Sequence, residues 1–173
     1  MAINDRLRRF LEEHQVSFQV LPHPEAFTSQ EVAAASHVSG ERLAKVLLLE
    51  DENRGYVMAV LPASCVLDLE ALTALSGKQR LRLASEAQFA PVFPDCEPGA
   101  MPPFGNLYGM QVYLGACLRR DGDIYFQACN HHETVKMRCA DYERIVQPIV
   151  GEFCRHAAGE MMGTDHRLEE LRV

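Results

Sequence analysis

The residues best suited to chemistry on a ligand lie in one short segment, "CEPGAMPPFG", over residues 96–105. It holds three of the nine prolines and two of the eleven glycines of the chain. Proline fixes φ at about −65° and removes a backbone donor, whereas glycine reaches positive φ and lets a ligand approach the backbone closely. The loop is therefore shaped in advance, either as a rigid connection or as a rigid binding loop.

Three further side chains are candidates for a site beside this loop. Lys45 immediately precedes the apolar run "VLLLE", so its ammonium group either extends to the surface or projects into a cleft. Thr28 begins the pattern Thr28-Ser29-Gln30-Glu31, which a helix capping box explains fully. His131 lies in the predicted hairpin turn "NHHE", where no spacing supplies other metal ligands. We therefore predict no metal and no cofactor.

Cysteine chemistry is a separate candidate. The six cysteines form no C-x-x-C pair and no zinc-type spacing, and no secretion signal is seen, so we expect reduced thiols, most of them buried. A single nucleophilic cysteine stays an alternative, although no spacing identifies one beside a cation or a helix N-terminus. The six are Cys65, Cys96, Cys117, Cys129, Cys139 and Cys154.

The composition is that of one globular domain. The 173 residues are 47% hydrophobic and 24% charged. The formal charge of −7 and the pI near 5.5 argue against binding DNA or long RNA through phosphates, but leave contact with the end of a nucleic acid open. The start "MAINDRLRRFLEEH" lacks an apolar signal region and no apolar run is long enough for a bilayer. We expect a cytoplasmic protein with no membrane partner.

The first half of the chain alternates helices and strands. Asn4 or Asp5 caps a first helix, and "VSFQVL" alternates as a half-buried strand does. The capping box at Thr28 opens a second helix. The runs "RLAKVLLLE" and "GYVMAVLP" predict two paired buried strands, followed by the helix "LDLEALTALSG". A short strand, "LRLA", and a short helix with a capping box at Ser85 complete this half.

The second half predicts three more strands and a long helix. "MQVYLGACL", "DIYFQAC" and "TVKMRC" are strand-like runs joined by short turns, which indicates a meander. Asp141 caps "YERIVQPIVGEFCRHAAGEM", where Pro148 kinks or divides the helix, and the polar tail "GTDHRLEELRV" follows. The whole pattern predicts one α+β domain over residues 1–173, a mixed β-sheet with helices packed around it.

Four features in order resemble the YbaK family, the free-standing aminoacyl-tRNA deacylases related to the editing insertion of bacterial prolyl-tRNA synthetases. They are Thr28-Ser29-Gln30-Glu31-Val32-Ala33, Lys45 before an apolar strand, Gly99-x-x-x-Pro103 with Phe104-Gly105, and a late hairpin leading into Asp141-Tyr142. No single motif is specific, but four in this order are hard to obtain by chance. The resemblance covers about residues 5–147, and a helical extension is expected from about residue 149.

The resemblance implies a role for each part of the site. Lys45 is expected to reach the terminal adenosine and the ester of a charged tRNA. Gly99 is expected to offer backbone amides to the substrate carbonyl, where negative charge develops. Catalysis is expected to use the substrate's own ribose hydroxyl, which agrees with the lack of a recognisable Ser-His-Asp or Cys-His pattern. The expected substrate-binding residues are Thr28, Met101, Pro102, Pro103, Phe104, Gly105 and His131.

Two departures from the family pattern concern the pocket. Many relatives carry glycine where this chain has Cys129-Asn130, in the wall beside His131. Met101 makes the pocket smaller than serine or alanine would if it points inward, so small amino acids are expected. The resemblance thus implies a trans-editing hydrolase for alanine, serine or cysteine esters at the acceptor end of a mischarged tRNA, with an aminoacyl-tRNA synthetase as a further candidate partner.

Two alternatives stay open at this point. One is a binding module of the same fold that has lost hydrolysis and holds an aminoacyl end or a synthetase, which substitution of Lys45 tests. The other is an unrelated thiol enzyme that uses one of the six cysteines. Deacylation by a cysteine-free variant would exclude that second alternative.

Overall fold

The structure, a computed structural model, describes residues 3–119 and 122–156. In this part of the chain the helices are α1 (Asp5–Glu13), α2 (Ser29–Ala35), α3 (Leu69–Ser76), α4 (Glu86–Phe89) and α5 (Cys139–Val146). The strands are β1 (Phe18–Pro22), β2 (Ala44–Asp51), β3 (Tyr56–Pro62), β4 (Cys65–Leu67), β5 (Leu81–Leu83), β6 (Gln111–Gly115), β7 (Asp123–Gln127), β8 (Glu133–Arg138), β9 (Ile149–Gly151) and β10 (Cys154–His156).

Two sheets and a two-stranded ribbon carry the fold. A five-stranded mixed sheet has the order β5-β2-β3-β6-β9, in which β2 is antiparallel to β5 and β3, and β6 is parallel to β3 and β9. A three-stranded antiparallel sheet has the order β1-β8-β7, and β4 pairs with β10. The predicted α+β class with a mixed sheet is confirmed.

The five-stranded sheet is buried on both faces. On one face Leu48 and Met58 pack into a large core that α1, α5 and the three-stranded sheet cover. On the other face Leu47 and Leu61 join a second core, with Leu72 of α3. A strand buried on both faces needs apolar residues at successive positions, which explains the continuous apolar runs in β2 and β3.

The predicted caps of the first two helices are present. The Asn4 side chain accepts hydrogen bonds from the backbone amides of Arg6 and Leu7 at the start of α1. Thr28 and Glu31 form the reciprocal capping box of α2. Each cap satisfies amides that have no partner within the first turn, so the local sequence defines where these helices begin.

The predicted meander is wrong for its first strand. β6 lies in the five-stranded sheet, parallel to β3, whereas β7 and β8 form an antiparallel hairpin beside β1. A 3₁₀ turn at Ala116–Leu118 follows β6 directly and separates it from β7. The apolar pattern of a strand does not encode which neighbour it pairs with, so the sheet assignment needed the tertiary structure.

The helix predicted across Pro148 also needs correction. The N-cap of α5 is Arg138, Asp141 lies in its first turn, and the helix ends at Val146, followed by Gln147 in the left-handed region at φ 51°. Residues 149–151 and 154–156 are strands, because β9 extends the large sheet beside β6 and β10 pairs with β4. Pro148 lacks the N–H that a continuing helix needs. The rest of the predicted helical extension and the tail "GTDHRLEELRV" lie outside the described residues.

Candidate active site

A cavity of about 810 Å³ opens beside the loop over residues 96–105. Its volume lies in the range of pockets that enclose a small-molecule ligand. Five segments line it: Glu25, Phe27 and Ser29 before and within α2, residues 44–48 of β2, residues 83–86 with Phe89, residues 97–99 with Met101, and Gln127 with His131. The cavity therefore joins the large sheet, the loop and the β7–β8 hairpin.

Lys45 lies at the second position of β2 and lines this cavity. Only 7% of its surface is exposed, which favours the cleft over the surface position. It is the only lysine or arginine among the described residues that line the cavity, beside three carboxylates, those of Glu25, Glu86 and Glu97. Positive charge is thus concentrated at one point of an otherwise acidic and apolar wall.

Gly99 lies in the cavity wall with a positive φ of +83°. Its neighbour Ala100 donates its amide to the Glu97 carbonyl oxygen at 3.0 Å. Within residues 3–119 and 122–156, the amides of Gly99 and Met101 donate to no acceptor. Backbone N–H groups without an acceptor, in residues that line a cavity, are suitable donors for an oxygen that gains negative charge.

The loop is fastened to the hairpin by a disulfide between Cys96 and Cys129. The Glu97 amide donates to the Cys129 carbonyl oxygen, and the Cys129 amide donates to the Ala100 carbonyl oxygen, both at 2.9 Å. These bonds place the two Cα atoms 4.2 Å apart. The prediction of six reduced thiols is therefore wrong for this pair, since sequence spacing alone does not reveal that residues 33 positions apart are neighbours.

His131 ties three segments of the wall together. Its Nε2 lies 2.9 Å from the Pro98 carbonyl oxygen and its Nδ1 lies 3.2 Å from the Ala26 carbonyl oxygen. Its amide donates to Glu97 Oε2 at 3.0 Å. Gln127 Nε2 also lies 3.5 Å from Nδ1. The ring therefore holds the loop, the hairpin and the segment before α2 in a fixed arrangement.

Four of the nine predicted site residues line the cavity: Lys45, Gly99, Met101 and His131. Thr28 lies one position from the lining residues Phe27 and Ser29, and its side chain is used by the capping box. The second half of the loop turns into the core. Its residues Pro102, Pro103, Phe104 and Gly105 are all buried.

Phe104 and Gly105 pack in the core and support the loop from its buried side. The Phe104 ring packs edge-on against Phe126 and Tyr142 at centroid distances of 5.3 and 5.4 Å. A Cβ at Gly105 would lie 2.9 Å from the side chains of Met110 and Val112, so close packing requires glycine there. These residues support the loop from the core and do not form the cavity wall.

Tyr142 anchors the loop through a buried hydrogen bond, its hydroxyl donating to the Pro103 carbonyl oxygen at 2.7 Å. Tyr142→Phe leaves that oxygen without its donor, so we expect a loss of about 1–3 kcal/mol in the free energy of unfolding, measured by urea denaturation. Tyr56→Phe is the control, because its hydroxyl makes only an exposed contact of 3.4 Å to Gln88. Equal stability of the two variants would contradict the anchoring role.

Phe27 is a lining residue that the sequence reasoning missed. The residue is 60% exposed, and its ring lies 4.8 Å from the His131 ring, centroid to centroid, at a tilt of 49°. Its amide donates to Glu31 Oε2 at 3.1 Å, beside the Thr28 amide at 3.0 Å. The Thr28 and Phe27 amides lower the pKa of Glu31, so the carboxylate that holds this turn stays ionised. The only feature of the sequence that could have indicated this position is an aromatic residue directly before a capping box.

The geometry gives less support to a cysteine nucleophile, a metal site or a membrane-spanning helix. Among the residues that the structure describes, no cysteine lines the cavity. In the part of the chain that the structure covers, no group of three or more His, Cys, Asp or Glu residues is arranged to hold a metal ion. No helix among the same residues has the length and apolar character needed to traverse a bilayer.

The fold and the cavity define a class. Residues 23–145 match the family described as the aminoacyl-tRNA editing domain, and the chain belongs to this family. The predicted family is confirmed, and this membership supports the predicted aminoacyl-tRNA hydrolase.

Two relatives are similar to this chain over most of its length. The multifunctional Ser/Thr-tRNA deacylase ProXp-y of Escherichia coli strain K12 is 32% identical over 161 residues, which are 89% of this chain and 94% of the relative. The protein of the same name from Escherichia coli O157:H7 is equally similar.

Solved structures agree on the fold. The hypothetical protein APE2540 has a TM-score of 0.79 at 17% identity, covering 87% of this chain and all of that one. A candidate trans-editing enzyme for prolyl-tRNA synthetase has a TM-score of 0.76 at 20% identity, covering 87% of this chain and 95% of that one. At these identities the likeness extends to the fold alone.

Proposed function

We propose that this protein is a trans-editing deacylase that hydrolyses the ester of a tRNA mischarged with a small amino acid, serine foremost. The observation that carries the proposal is the pair of uncommitted amides at Gly99 and Met101, in the wall of a cavity that also holds Lys45. The amides can donate to the ester carbonyl oxygen as it becomes an oxyanion, and the lysine can interact with the adjacent phosphate-bearing nucleotide.

The proposed mechanism uses the protein for positioning and charge stabilisation. Lys45 binds the terminal adenosine and its ester region, and the Gly99 and Met101 amides receive the carbonyl oxygen in the transition state. Water attacks the carbonyl carbon, assisted by the neighbouring ribose hydroxyl of the substrate. Ser29 and Ser85 line the cavity, but the His131 ring nitrogens are directed at other groups, so among residues 3–119 and 122–156 neither hydroxyl is paired with a histidine base.

Small amino acids fit the part of the cavity nearest the loop. Met101 lines it and is 7% exposed, so it fills volume that a larger substrate side chain would need. Gln127 and Ser29 supply polar groups for a hydroxyl. Serine is expected from the sequence and also belongs to the named activity of the ProXp-y relative. A pocket that hydrogen-bonds a substrate hydroxyl disfavours analogues that lack it, so alanine and cysteine esters are weaker candidates.

A panel of charged tRNAs tests the proposal. Purified protein is mixed with seryl-, threonyl-, alanyl-, cysteinyl- and leucyl-tRNA, and release of the amino acid is followed in single turnover. We expect seryl-tRNA to be deacylated fastest and leucyl-tRNA at the uncatalysed rate. Binding without hydrolysis of every ester would instead support the non-catalytic module, and equal rates for leucyl and seryl esters would overturn the assigned pocket.

An aminoacyl-tRNA synthetase is the proposed protein partner. With a formal charge of −7, the chain has little means to bind the body of a tRNA through phosphates. We expect weak binding of uncharged tRNA that weakens further with added salt, measured by filter binding. Tight binding of arbitrary RNA at physiological salt would contradict recognition through the acceptor end.

Phe27 is proposed to stack on the terminal adenine. Its exposed ring stands at the cavity mouth and its backbone is held by Glu31. Because stacking of a base on an aromatic ring is worth about 1–3 kcal/mol, Phe27→Ala should raise KM by about tenfold or more with little change in kcat. Phe27→Tyr keeps the ring and should stay near wild type in steady-state kinetics. If Phe27→Tyr loses as much as Phe27→Ala, stacking is not the role of this residue.

A further inference from the structure

A thiol cluster lies apart from the cavity, formed by Cys65, Cys117 and Cys154 with His156. Cys65 begins β4, Cys154 begins β10, and Cys117 lies in the 3₁₀ turn after β6. Cys65 and His156 face each other across the β4–β10 ribbon, with Cys65 Sγ 3.7 Å from His156 Nδ1. None of the four lines the cavity of the proposed function.

The Cys117 sulfur is the centre of the cluster. The side chains of Cys154 and Cys65 both act on its pKa. The sulfurs of Cys117 and Cys154 both lie over Gly115, where an added Cβ would overlap the Cys154 sulfur and come within 3.6 Å of the Cys117 sulfur. The absence of a side chain at this end of β6 gives the two sulfurs room to meet.

The three thiols differ in pKa and in exposure because their surroundings differ. The hydrogen bond from Cys154, assisted by Cys65 and the charge of His156, lowers the pKa of Cys117 to about 6, against the effect of burial. The hydrogen bond to Cys117, followed by burial, raises the pKa of Cys154, which remains a thiol. Cys117 and Cys154 are both half-buried, whereas Cys65 is only 1% exposed. Cys117 is therefore the more acidic of the two half-buried thiols, and Cys154 is the more exposed of its two sulfur neighbours.

We propose that the thiol cluster is an oxidative modification site, at which a hydroperoxide converts Cys117 and Cys154 into a disulfide. The Cys117 thiolate attacks the terminal peroxide oxygen, the O–O bond breaks, and the alkoxide leaves as an alcohol after protonation. Cys117 becomes a sulfenic acid, oxidised by two electrons, and the hydroperoxide is reduced. The Cys154 sulfur then attacks Cys117, the S–S bond forms, and the S–O bond breaks with loss of water.

Peptide mapping of the full chain tests the site without any variant. Protein is treated with one equivalent of hydrogen peroxide, free thiols are alkylated, and chymotryptic peptides are identified by mass spectrometry, since Phe104 and Tyr108 separate Cys96 from Cys117. We expect a Cys117–Cys154 crosslink as the first new product. A crosslink to Cys65 instead, or oxidation of Cys139 before Cys117, would overturn the assignment.

Two conservative variants separate the steps. Cys154→Ser should stop at the sulfenic acid, which dimedone traps on Cys117, and Cys117→Ser should abolish both the adduct and the crosslink. Alkylation of the untreated protein by iodoacetamide at pH 7 supplies the matched comparison, because Cys117 and Cys154 are both half-buried. Cys117 should react about tenfold faster or more. Equal rates, or dimedone labelling of Cys154, would contradict the proposed roles.

Discussion

Gly99→Ala is expected to lower the single-turnover deacylation rate by about two to three orders of magnitude, the cost of losing a preorganised oxyanion donor. The cause is conformational. A Cβ at Gly99 would lie 3.8 Å from His131 Cε1, an ordinary contact, but a φ of +83° is strained for any residue with a side chain. Relief of that strain rotates the peptide groups on either side, and the Gly99 and Met101 amides move away from the substrate oxygen.

The measurement compares chemistry with binding. Affinity for a non-hydrolysable aminoacyl-adenosine analogue should change little, because the oxygen carries full negative charge only in the transition state. A loss of affinity as large as the loss of rate would mean that Gly99 shapes the pocket instead of stabilising the oxyanion.

Gly109→Ala is the matched control for this prediction. Gly109 has a φ of +71° and no place in the cavity wall, and no heavy atom of the described residues lies within 4 Å of an added Cβ. The same backbone strain should cost about 1–3 kcal/mol of stability there and leave the deacylation rate near wild type. If both variants lose activity equally after their folding is confirmed, the effect at Gly99 is a general consequence of strain.

Lys45→Ala should reduce deacylation by about two orders of magnitude or more, because it removes the lysine from the lining of the cavity. Lys45 is buried in β2, so alanine also removes the packing of its aliphatic stem. Lys45→Met keeps most of that volume and should lose a comparable share of activity. Retention of wild-type rates by Lys45→Met would show that the residue is structural.

Lys78→Met controls for the loss of a positive charge as such. Lys78 Nζ forms an ion pair with Asp51 Oδ2 at 2.7 Å at the far end of β2, outside the cavity wall. Its replacement should leave the rate unchanged while the analogue affinity and the circular dichroism spectrum stay near wild type. A comparable rate loss at Lys78 would point to the net charge of the protein and not to a local contact.

The sequence by itself determined the local elements and the order of the motifs. Asn4, Thr28 and Asp68 satisfy amides within three residues of themselves, and such interactions are legible in any short window. The apolar runs of β2 and β3 likewise predicted a buried antiparallel pair. Lys45 stood out as a lysine at the start of an apolar strand, and the resemblance to the family implied the roles of Lys45 and Gly99 in the site.

Only the tertiary structure decided which residues of the loop face the cavity. Gly99 and Met101 line it, whereas Phe104 turns into the core against Phe126 and Tyr142. The proximity of Cys96 to Cys129 was equally invisible to sequence spacing.

The tertiary structure also decided where β6, β9 and β10 lie in the sheets. β6 was predicted in a meander and lies parallel to β3, and the segment after Pro148 was predicted as helix and forms strands. Strand pairing and side-chain direction depend on contacts between distant segments, and the free energy of those contacts outweighs a weak local propensity. Local hydrogen bonds can be read from neighbouring residues, but the choice of partner in a sheet is made by the core that both strands share.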